Sequence, residues 1–420
     1  MKILWITNIP LPPVGEKMKM NRLFHGGWMY ASLCAMKAVC PDLRFAVATL
    51  DRREGLFHEK IGEVDYYLLP ERSRQCYDVN LESLWRQIRD EFRPDVIHIH
   101  GTEQPHGLAY LKACGSDAVV SSIQGLTSVY SMHYLNGVSR KDLIRSFSVY
   151  DLLRLRLLSF RKLAFVLRGR LEEEHIRRLK NIIGRTSWDR AHVERLNPSI
   201  RYHHVEETLR PEFYSGVWTY EKCVPQTIFL SQAGYPVKGL HFLIRALPEV
   251  IREFPRTQVF IGGGDILKRE HGFLGGYGKL CLKLMRERGI EGRFHFLGAL
   301  NAEEMKAQYL KANVFVSPST IENSPNSVCE AQILGTPLVA SDVGGVLDLV
   351  EHKKTGFVYR ADDTSLLAFW IRHVFRSGEN AEMMIPEMQE VAKKRHDGAK
   401  NAEALLAVYR EIIGEASPEK

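Results

Sequence analysis

Short apolar segments alternate with longer amphipathic segments along almost the whole chain. Helical patterns lie between the apolar runs; Leu240, Leu243 and Leu247, for example, share one face of a helix. Alternation of this kind is typical of βαβ units, so the sequence predicts an α/β protein with doubly wound, Rossmann-like parallel sheets in both halves. The predicted strands are residues 2–7, 45–50, 64–69, 95–100, 118–123, 182–185, 227–231, 258–262, 293–297, 314–317 and 338–341.

The length and composition favour two globular domains. A chain of 420 residues exceeds the size at which one core usually stops growing. The break is predicted between residues 210 and 225, where two prolines interrupt the apolar periodicity. Apolar residues make up 45% and charged residues 25%, which is ordinary for a globular protein. The net charge of +7 is modest, and we expect no nucleic-acid partner.

The cysteines and the apolar runs bear on the cellular compartment. The seven cysteines are scattered without metal-ligand spacing, which favours reduced thiols over disulfides. The apolar run at residues 3–6 is shorter than the core of a signal peptide. No uncharged apolar run approaches the roughly 20 residues that span a bilayer. We therefore expect a cytoplasmic protein, with a place at the inner face of the cell membrane left open.

Residues 322–337 combine two carboxylates, eight positions apart, with the pattern of a short helix. Ser324 suits the N-cap, Pro325 the first helical position and Gly335 the C-cap. The segment lies between two predicted strands, so the N–H groups of the helix start should face the carboxyl edge of a parallel sheet, where phosphates bind. Glu322 and Glu330 would flank such a phosphate and accept hydrogen bonds from sugar and ribose hydroxyls.

The same segment resembles a known family signature. It reads Glu322-Asn323-Ser324-Pro325-Asn326-Ser327-Val328-Cys329-Glu330, followed by Gly335-Thr336-Pro337 and Ser341-Asp342-Val343-Gly344-Gly345. This string resembles the donor-site signature of the retaining glycosyltransferases of family four, also called glycosyl transferases group 1. Members of that family have the GT-B fold, in which two Rossmann-like domains face a cleft. The resemblance is strong over about 228–358. In the first half it extends only to the general arrangement of the predicted strands and helices.

The resemblance implies domain bounds. The terminal helix of GT-B proteins, here predicted at about 399–413, commonly crosses back onto the first domain. The first, acceptor-side domain is therefore expected to comprise residues 1–210 plus 399–420, with a basic helical insert at about 139–180. Residues 211–398 would form the second domain, which binds the nucleotide-sugar donor.

The resemblance also implies roles for single residues. Glu330 is expected to bind ribose hydroxyls and Glu322 sugar hydroxyls, and Lys238 matches the lysine that neutralises the leaving diphosphate. The family's arginine five positions earlier is replaced by Ala233, which removes part of that positive charge. Glu322 and Lys238 are thus the expected catalytic residues. The expected donor-binding set is Glu322, Asn323, Ser324, Pro325, Asn326, Ser327, Glu330, Lys238, Gly263, Gly26 and Gly27.

Glycine turns carry part of this expectation. Gly26-Gly27 precedes a helical run at 28–37 and resembles the Gly-Gly loop that the family's first domain offers to the donor; the alternative is a simple turn. Gly263 belongs to a glycine run after a strand, similar to a family turn beside the nucleotide base, and it too can be read as a tight turn. No Asp-x-Asp motif occurs, so neither a metal nor another cofactor is expected.

Polar residues follow two strands of the first half. His98 and His100 share one face of their strand, but a metal site would need a third ligand, for which His106 is a weak candidate. Because ligands bind beyond the carboxyl ends of parallel strands, His100, Glu103 and Gln124 are the expected acceptor-side residues. Gln124 stands about where many family members have a histidine near the reacting sugar, and it can only hydrogen-bond.

Residues 139–170 carry nine Arg or Lys against two Asp, with apolar residues at three- and four-residue spacing. The pattern predicts a basic amphipathic helix or a helix pair. One interpretation is a helical layer packed on its own domain. The other is docking on an anionic membrane surface, which would bring the enzyme to a lipid-linked acceptor.

The sequence therefore predicts a retaining, hexosyltransferase-type glycosyltransferase. It would move a sugar from a nucleotide-diphosphate sugar to a glycan or lipid-linked saccharide acceptor in bacterial surface polysaccharide synthesis. Two alternatives stay open. One is a sugar-nucleotide epimerase with the same fold, and the other is a catalytically silent partner in a polysaccharide assembly complex.

Overall fold

The computed structural model describes residues 1–20, 26–73, 75–147, 149–153, 157–269 and 273–414. Within these ranges the chain forms two compact units. The first unit comprises residues 1–129, 165–210 and 395–414, and the second comprises residues 130–164 and 211–394. Each unit has its own sheet and its own apolar core.

The strands and helices of the described residues follow the predicted alternation. The strands are β1 Lys2–Thr7, β2 Arg44–Asp51, β3 Phe57–Ile61, β4 Val64–Pro70, β5 Val96–His100, β6 Val119–Ser122, β7 Asn181–Gly184, β8 Arg201–His204, β9 Val224–Leu230, β10 Gln258–Gly262, β11 Phe294–Gly298, β12 Ala312–Ser317, β13 Leu338–Asp342 and β14 Phe357–Arg360. The helices are α1 Pro12–Lys17, α2 Gly27–Val39, α3 Leu81–Phe92, α4 Pro105–Cys114, α5 Thr127–His133, α6 Arg140–Arg145, α7 Val149–Leu153, α8 Leu158–Arg178, α9 Ser187–Leu196, α10 Leu240–Glu253, α11 Gly276–Arg286, α12 Ala302–Lys311, α13 Asn326–Leu334, α14 Val346–Leu349, α15 Thr364–Ser377, α16 Ile385–Arg395 and α17 Gly398–Ile412.

The sheet of the first unit is parallel except at one edge. Its strand order is β3-β4-β2-β1-β5-β6-β7-β8, and β3 pairs antiparallel with β4. Successive residues of β1 serve two different cores: Leu4 packs in the cluster with α3 and α4, and Trp5 in the cluster with α2 and α17. Helices therefore cover both faces, which explains why the strands are apolar throughout.

The sheet of the second unit is entirely parallel. Its strand order is β11-β10-β9-β12-β13-β14. The core beneath it joins α10, α11 and α15, with Leu243, Leu280 and Ile371 fully or almost fully buried. The predicted class, an α/β protein with Rossmann-like parallel sheets in both halves, is confirmed.

All predicted strands are present; β1 and β10 have the predicted ends and the others are shifted by one or a few residues. Helices α10 and α17 occupy the predicted helical segments. The predictions omitted β3, β8 and β14, each of which lies at the edge of a sheet. An edge strand is only partly covered, so its sequence lacks the continuous apolar run of the inner strands. In β3, for example, half-buried and exposed residues alternate.

Residues 130–164 pack with the second unit, whereas the predicted bounds assign them to the first domain. The reason is a set of contacts with α10. Gly137, with φ of +72°, lies against Phe242 so closely that a Cβ would overlap its ring. Arg245 donates to the Gly137 carbonyl at 2.8 Å and pairs with Asp142 at 3.2 Å. At the other end of the chain, residues 395–398, which the predicted bounds place in the second domain, belong to the first unit.

The predicted basic helix or helix pair over 139–170 is divided among α6, α7 and the first part of α8. Helix α6 starts with a capping box between Ser139 and Asp142 and ends at Ser146 after six residues. Residues 148 and 154–156 of this predicted segment lie outside the described residues. None of the helices in the described part of the chain has the length and apolar character needed to cross a bilayer.

Candidate functional site

Loops of the second unit meet beyond the carboxyl ends of β9 and β12, at the point where the strand order reverses. From β9 the chain continues to β10 and β11 on one side, then returns to β12 on the other. Open α/β sheets bind ligands at such a reversal, outside the carboxyl ends of the strands. The loop after β9 carries Lys238 and the loop after β12 carries Glu322, so the structure brings these two predicted residues together.

Lys238 and Glu322 form an ion pair, with 2.6 Å between Lys238 Nζ and Glu322 Oε1. The same carboxylate oxygen accepts a hydrogen bond from Ser319 Oγ at 2.7 Å. Burial by itself would lower the pKa of Lys238, but the neighbouring Glu322 carboxylate outweighs it and raises this pKa above the ordinary value. Lys238 therefore remains a protonated ammonium at the reversal point of the sheet, paired with the Glu322 carboxylate.

Two glycines let the surrounding loops approach this pair. Gly239 has φ of +68°, and a Cβ there would overlap the carbonyl oxygen of Pro318, just after β12. Gly344 has φ of +55°, and a Cβ there would overlap the carbonyl oxygen of Glu322. That carbonyl also accepts from the Gly345 N–H at 3.1 Å. The backbone on which Lys238 and Glu322 stand is thus fixed by close loop-to-loop packing.

Helix α13 begins at Asn326, with Pro325 as its N-cap residue. The prediction that Ser324 is the cap and Pro325 the first helical residue is wrong by one position, because Pro325 has the extended ψ of 113° that a cap residue adopts. Within the described residues, no side chain caps this helix. Its first N–H groups, at Asn326 and Ser327, are therefore suited to an anion. The predicted end is confirmed, since Gly335 with φ of +76° is the C-cap.

Glu330 lies in the second turn of α13 and is buried. Its Oε2 accepts a hydrogen bond from the hydroxyl of Tyr309 at 3.1 Å, and this hydroxyl also lies 3.0 Å from the carbonyl oxygen of Ser327. Tyr309, on α12, thereby ties the carboxylate to the start of α13. The sequence analysis missed Tyr309 because a lone tyrosine in a helix carries no signal for such a contact.

The segment 130–164 also supports the loop after β12. The hydroxyl of Tyr130 accepts a hydrogen bond from the backbone N–H of Asn323 at 2.9 Å. Thr320 Oγ1 donates to the carbonyl of His133 at 3.0 Å. Asn323 is almost fully buried, and Tyr130 fixes its backbone. Its predicted contact with the donor stays a prediction. Tyr130 is a further residue that sequence reasoning did not find.

A cavity of about 240 Å³ opens at the carboxyl ends of β9 and β10. Its lining includes Gly234, Gly264, Arg161, Lys268 and the start of α11. Of the glycine run after β10, Gly264 lines the cavity, whereas the N–H of Gly263 donates to the Gly298 carbonyl at 2.7 Å.

Ala233, next to this cavity in the chain, is buried in the apolar core of the second unit. An alanine there supplies no charge. In the part of the chain that the structure describes, Arg161 and Lys268 are the basic side chains among the cavity's lining residues. Arg161 stands on α8, in the predicted basic insert.

The predicted glycine pair of the first unit forms a tight turn into a helix. Gly26, with φ of +86°, is the N-cap residue of α2, and Gly27 is the first helical residue. A Cβ on Gly26 would lie 3.3 Å from the carbonyl oxygen of Pro10, in the loop after β1. The turn is thus present, and the donor contact stays a prediction.

Of the predicted acceptor-side residues, His100 is buried within the first unit. Its ring lies between Trp5 and His98, with ring centroids 4.4 Å and 3.9 Å away. Burial lowers the pKa of His100 to about 3, so the imidazole is neutral at physiological pH. His98 in turn contacts Ser122 and the hydroxyl of Tyr409.

The other two predicted acceptor-side residues have polar partners in the same unit. Gln124 donates to Glu207 at 3.0 Å, and Glu207 pairs with the buried Arg185. Glu103, after β5, accepts a hydrogen bond from Asn8, after β1. Within the described residues, no group of three or more His, Cys, Asp or Glu side chains is arranged to hold a metal ion.

The chain has two Rossmann-like units, as proteins of the GT-B class of glycosyltransferase folds do. The crystal structure of the Anabaena protein HepE in complex with UDP-glucose has this fold. It matches with a TM-score of 0.65 over 98% of this chain and 100% of that chain, at 16% sequence identity.

Residues 224–391, which lie in the second unit, match the family model described as glycosyl transferases group 1. An uncharacterized glycosyltransferase of Methanocaldococcus jannaschii is 27% identical over 195 residues, which is 46% of each protein. A GDP-mannose-dependent alpha-(1-6)-phosphatidylinositol monomannoside mannosyltransferase of Mycobacterium tuberculosis is 29% identical over 141 residues, 32% of this chain and 34% of that protein. The chain thus spans less than half the length of these curated relatives.

Proposed function

We propose that the protein transfers a hexose from a nucleotide-diphosphate sugar, with retention of anomeric configuration, to a hydroxyl of a glycan or lipid-linked saccharide. The observation that carries this proposal is the buried Lys238–Glu322 ion pair at the reversal point of the second sheet.

Each group has a distinct role in this proposal. The N–H groups of Asn326 and Ser327 bind the diphosphate, and Lys238 stabilises the negative charge that grows as the sugar departs. Glu322, oriented by its hydrogen bond from Ser319, accepts from the sugar hydroxyls. Glu330, oriented by Tyr309, accepts from the ribose hydroxyls.

The nucleobase is assigned to the 240 Å³ cavity beside Gly264. Glycines in its wall allow a flat ring to approach the backbone closely. Arg161 can stack on a base or pair with a phosphate oxygen, and it supplies positive charge near Gly234 that Ala233 does not. HepE is described in complex with UDP-glucose and the Mycobacterium tuberculosis relative as GDP-mannose-dependent, so both bases belong in any test.

The chemistry of transfer with retention follows from these groups. The acceptor oxygen bonds to the anomeric carbon on the face from which the diphosphate departs, and the bond from that carbon to the phosphate oxygen breaks. The hydroxyl proton passes to the departing phosphate oxygen, so no separate general base is needed. Lys238 and the start of α13 lower the barrier because they stabilise the diphosphate more strongly as its charge increases.

A ligand panel tests the donor assignment. We expect UDP-, GDP- or dTDP-sugars at about 100 times their Kd to stabilise the protein by about 2.7 kcal/mol, which raises the melting temperature by about 5–10 °C. Uridine, guanosine and thymidine serve as controls, because without a diphosphate they should give much smaller shifts.

The products of the same incubations decide between the alternatives. Slow release of free sugar without an acceptor supports a transferase, because water can replace the acceptor hydroxyl. An isomerised nucleotide sugar would identify an epimerase. A protein that neither binds nor consumes any of these compounds would be the silent partner, and the transferase proposal would fall.

We further propose that residues 139–163 dock on an anionic membrane that carries the acceptor, as suits bacterial surface polysaccharide synthesis at the inner face of the cell membrane. Leu143 and Leu158 pack against the core of the second unit, so part of the segment is a structural layer. Other large apolar side chains of the segment face outward: Ile144, Phe147, Leu152, Leu153 and Leu163. Exposed basic residues accompany them, among them Arg140 and Lys141, as an anionic surface requires.

A double substitution tests the docking. Ile144 and Leu153 are 77% and 79% exposed, so Ile144→Glu with Leu153→Glu should leave the fold intact. A fully buried aliphatic side chain is worth about 1.5–3 kcal/mol. Even partial insertion of both should therefore make sedimentation with phosphatidylglycerol-containing vesicles at least about tenfold weaker in the variant.

Met383→Glu is the matched control, because Met383 is 80% exposed and lies far from this segment in the chain. It should sediment like the wild type. Equal partitioning of the double variant and the wild type, or no partitioning of the wild type, would contradict membrane docking.

A further inference from the structure

The sheet of the first unit has its own reversal point, between β1 and β5. From β1 the chain moves outward to β2 and beyond on one side, then returns to β5 and moves outward on the other. The loops after β1 and β5 therefore occupy the place where an open α/β sheet binds a ligand. Asn8 is the first residue after β1, and Glu103 lies three residues after β5.

Asn8 and Glu103 are hydrogen-bonded to each other, and each has one acceptor oxygen without a donor among the described residues. Asn8 Nδ2 donates to Glu103 Oε1, which fixes the orientation of the amide. Asn8 Oδ1 and Glu103 Oε2 are buried and have no hydrogen-bond partner among the residues that the structure describes. A buried acceptor without a donor is unfavourable, so such a pair calls for hydrogen-bond donors from a ligand.

The side chains of Asn8 and Glu103 pack directly against the backbone at Gly101. Its φ is +100°, and a Cβ there would overlap Asn8 Nδ2 and lie 2.5 Å from Glu103 Oε2. The two polar side chains lie directly over the glycine, in space that any other residue would fill. The backbone after β5 is thus shaped to place the amide and the carboxylate side by side.

A neighbouring carboxylate gives the contrast. Glu172, on α8, is buried, but its two oxygens accept from Thr102 Oγ1 at 3.1 Å and from the N–H of Ser128 at 2.8 Å. Glu172 therefore serves the fold by joining α8 to the loop after β5 and to the start of α5. Glu103 has one oxygen left for a further donor.

We propose that Asn8 Oδ1 and Glu103 Oε2 form a subsite for a vicinal diol of a polyhydroxylated acceptor. The amide and the carboxylate are adjacent because they share a hydrogen bond, so each offers one acceptor oxygen to a pair of O–H donors. Both oxygens repel a phosphate or carboxylate, which would bring further acceptors. The inference rests on the proposed function and adds to it the chemical class of the acceptor group and the residues that bind it. Asn8 was not among the predicted site residues.

The ionisation of Glu103 gives the subsite a pH dependence. Burial raises the pKa of Glu103 to about 7, and the nearby carboxylate of Glu172 adds to this. The backbone N–H of Glu103 itself, Arg168 and Asn8 oppose the increase. Because the pKa is raised, the accepting carboxylate predominates above pH 7 and is lost below it. Diol affinity should therefore fall about tenfold from pH 8 to pH 6, in proportion to the ionised fraction.

Binding of small polyols to the full chain tests the subsite without an activity assay. The probes are myo-inositol and methyl α-D-mannopyranoside, which have vicinal diols, and cyclohexanol, which has one hydroxyl. Saturation-transfer NMR titrations should give lower Kd values for the first two than for cyclohexanol. Glu103→Gln and Asn8→Ala should each raise the polyol Kd at least about tenfold, since each removes an acceptor. Glu103→Gln should also remove the pH dependence, which a purely structural role would not produce.

Glu91→Gln, an exposed carboxylate on α3 of the same unit, is the control and should bind polyols like the wild type. The subsite is refuted if the wild type binds neither polyol, or if both variants bind them as the wild type does. Asn8→Ala decides the matter if Glu103→Gln does not fold. Nucleotide-sugar binding by the wild type is measured separately: its absence refutes the proposed function, whereas its presence without polyol binding refutes only the subsite.

Discussion

Replacing Glu322 by glutamine is expected to lower kcat/KM for sugar transfer by about 10²–10³-fold, the usual effect of removing one preorganised electrostatic contact to a transition state. The carboxylate accepts a hydrogen bond from Ser319 and pairs with Lys238. In the proposed function it binds the sugar hydroxyls and orients the cation that faces the diphosphate. Glutamine keeps the size of the side chain and one accepting oxygen but loses the charge. Single-turnover rates and product release should be measured with the donor that the ligand panel identifies.

Alanine at position 322 would be a less informative change. Both partners of the ion pair are largely buried, and removing one would leave the ammonium of Lys238 without its counter-charge. Breaking a buried pair in this way is destabilising by about 3–5 kcal/mol. Lost activity could then reflect unfolding, so Glu322→Gln is compared with wild type by urea titration as well as by turnover.

Glu351→Gln is the matched control for this experiment. Glu351 also pairs with a lysine, Lys354, but both side chains are more than half exposed. Exposed pairs contribute about 0–1 kcal/mol, so neither stability nor transfer should change measurably. Near-normal turnover in Glu322→Gln would contradict the role assigned to this carboxylate.

Local signals in the sequence predicted the local parts of the site. The strand before Glu322, the helix after it and the end of that helix at Gly335 all depend on short-range patterns of apolar residues, prolines and glycines. The start of the helix was misplaced by one residue because proline is acceptable both as the N-cap and at the first helical position. Such patterns identify an element more reliably than its first residue.

Contacts between distant residues were beyond the same reasoning. The Lys238–Glu322 pair joins residues 84 positions apart, and it depends on how closely the loops after β9 and β12 pack. Tyr309 and Asn8 are single polar residues whose partners lie elsewhere in the chain. Their roles follow from the order of strands in each sheet, which the alternation of elements does not specify.

The segment 130–164 illustrates the same limit. From residue 139 onward, its charge and its amphipathic spacing are visible in the sequence and predict a helix or a helix pair, where the described residues belong to three helices. Its attachment to the second unit depends on Gly137 fitting against Phe242 and on Arg245 reaching Asp142. A glycine and an arginine are common in any sequence, so nothing local indicated which unit would receive the segment.

Substituting alanine for Gly239 is expected to lower the unfolding free energy of the second unit by at least about 3 kcal/mol. Two effects add. An alanine at φ of +68° pays about 1–2 kcal/mol for the left-handed conformation. In addition, its Cβ would overlap the carbonyl oxygen of Pro318, so the loops after β9 and β12 must separate. The melting temperature should fall by about 6–12 °C, and nucleotide-sugar binding should weaken because Lys238 moves with its loop.

Gly289→Ala separates these two effects. Gly289 has φ of +65°, nearly the same as Gly239, but a Cβ there would meet nothing within 4 Å. This control carries the conformational penalty alone and should lower the melting temperature by only about 2–8 °C. The difference between the two variants then measures the contact with Pro318. If Gly239→Ala melts no earlier than Gly289→Ala and binds nucleotide sugars as the wild type does, close packing of these two loops is not what positions Lys238.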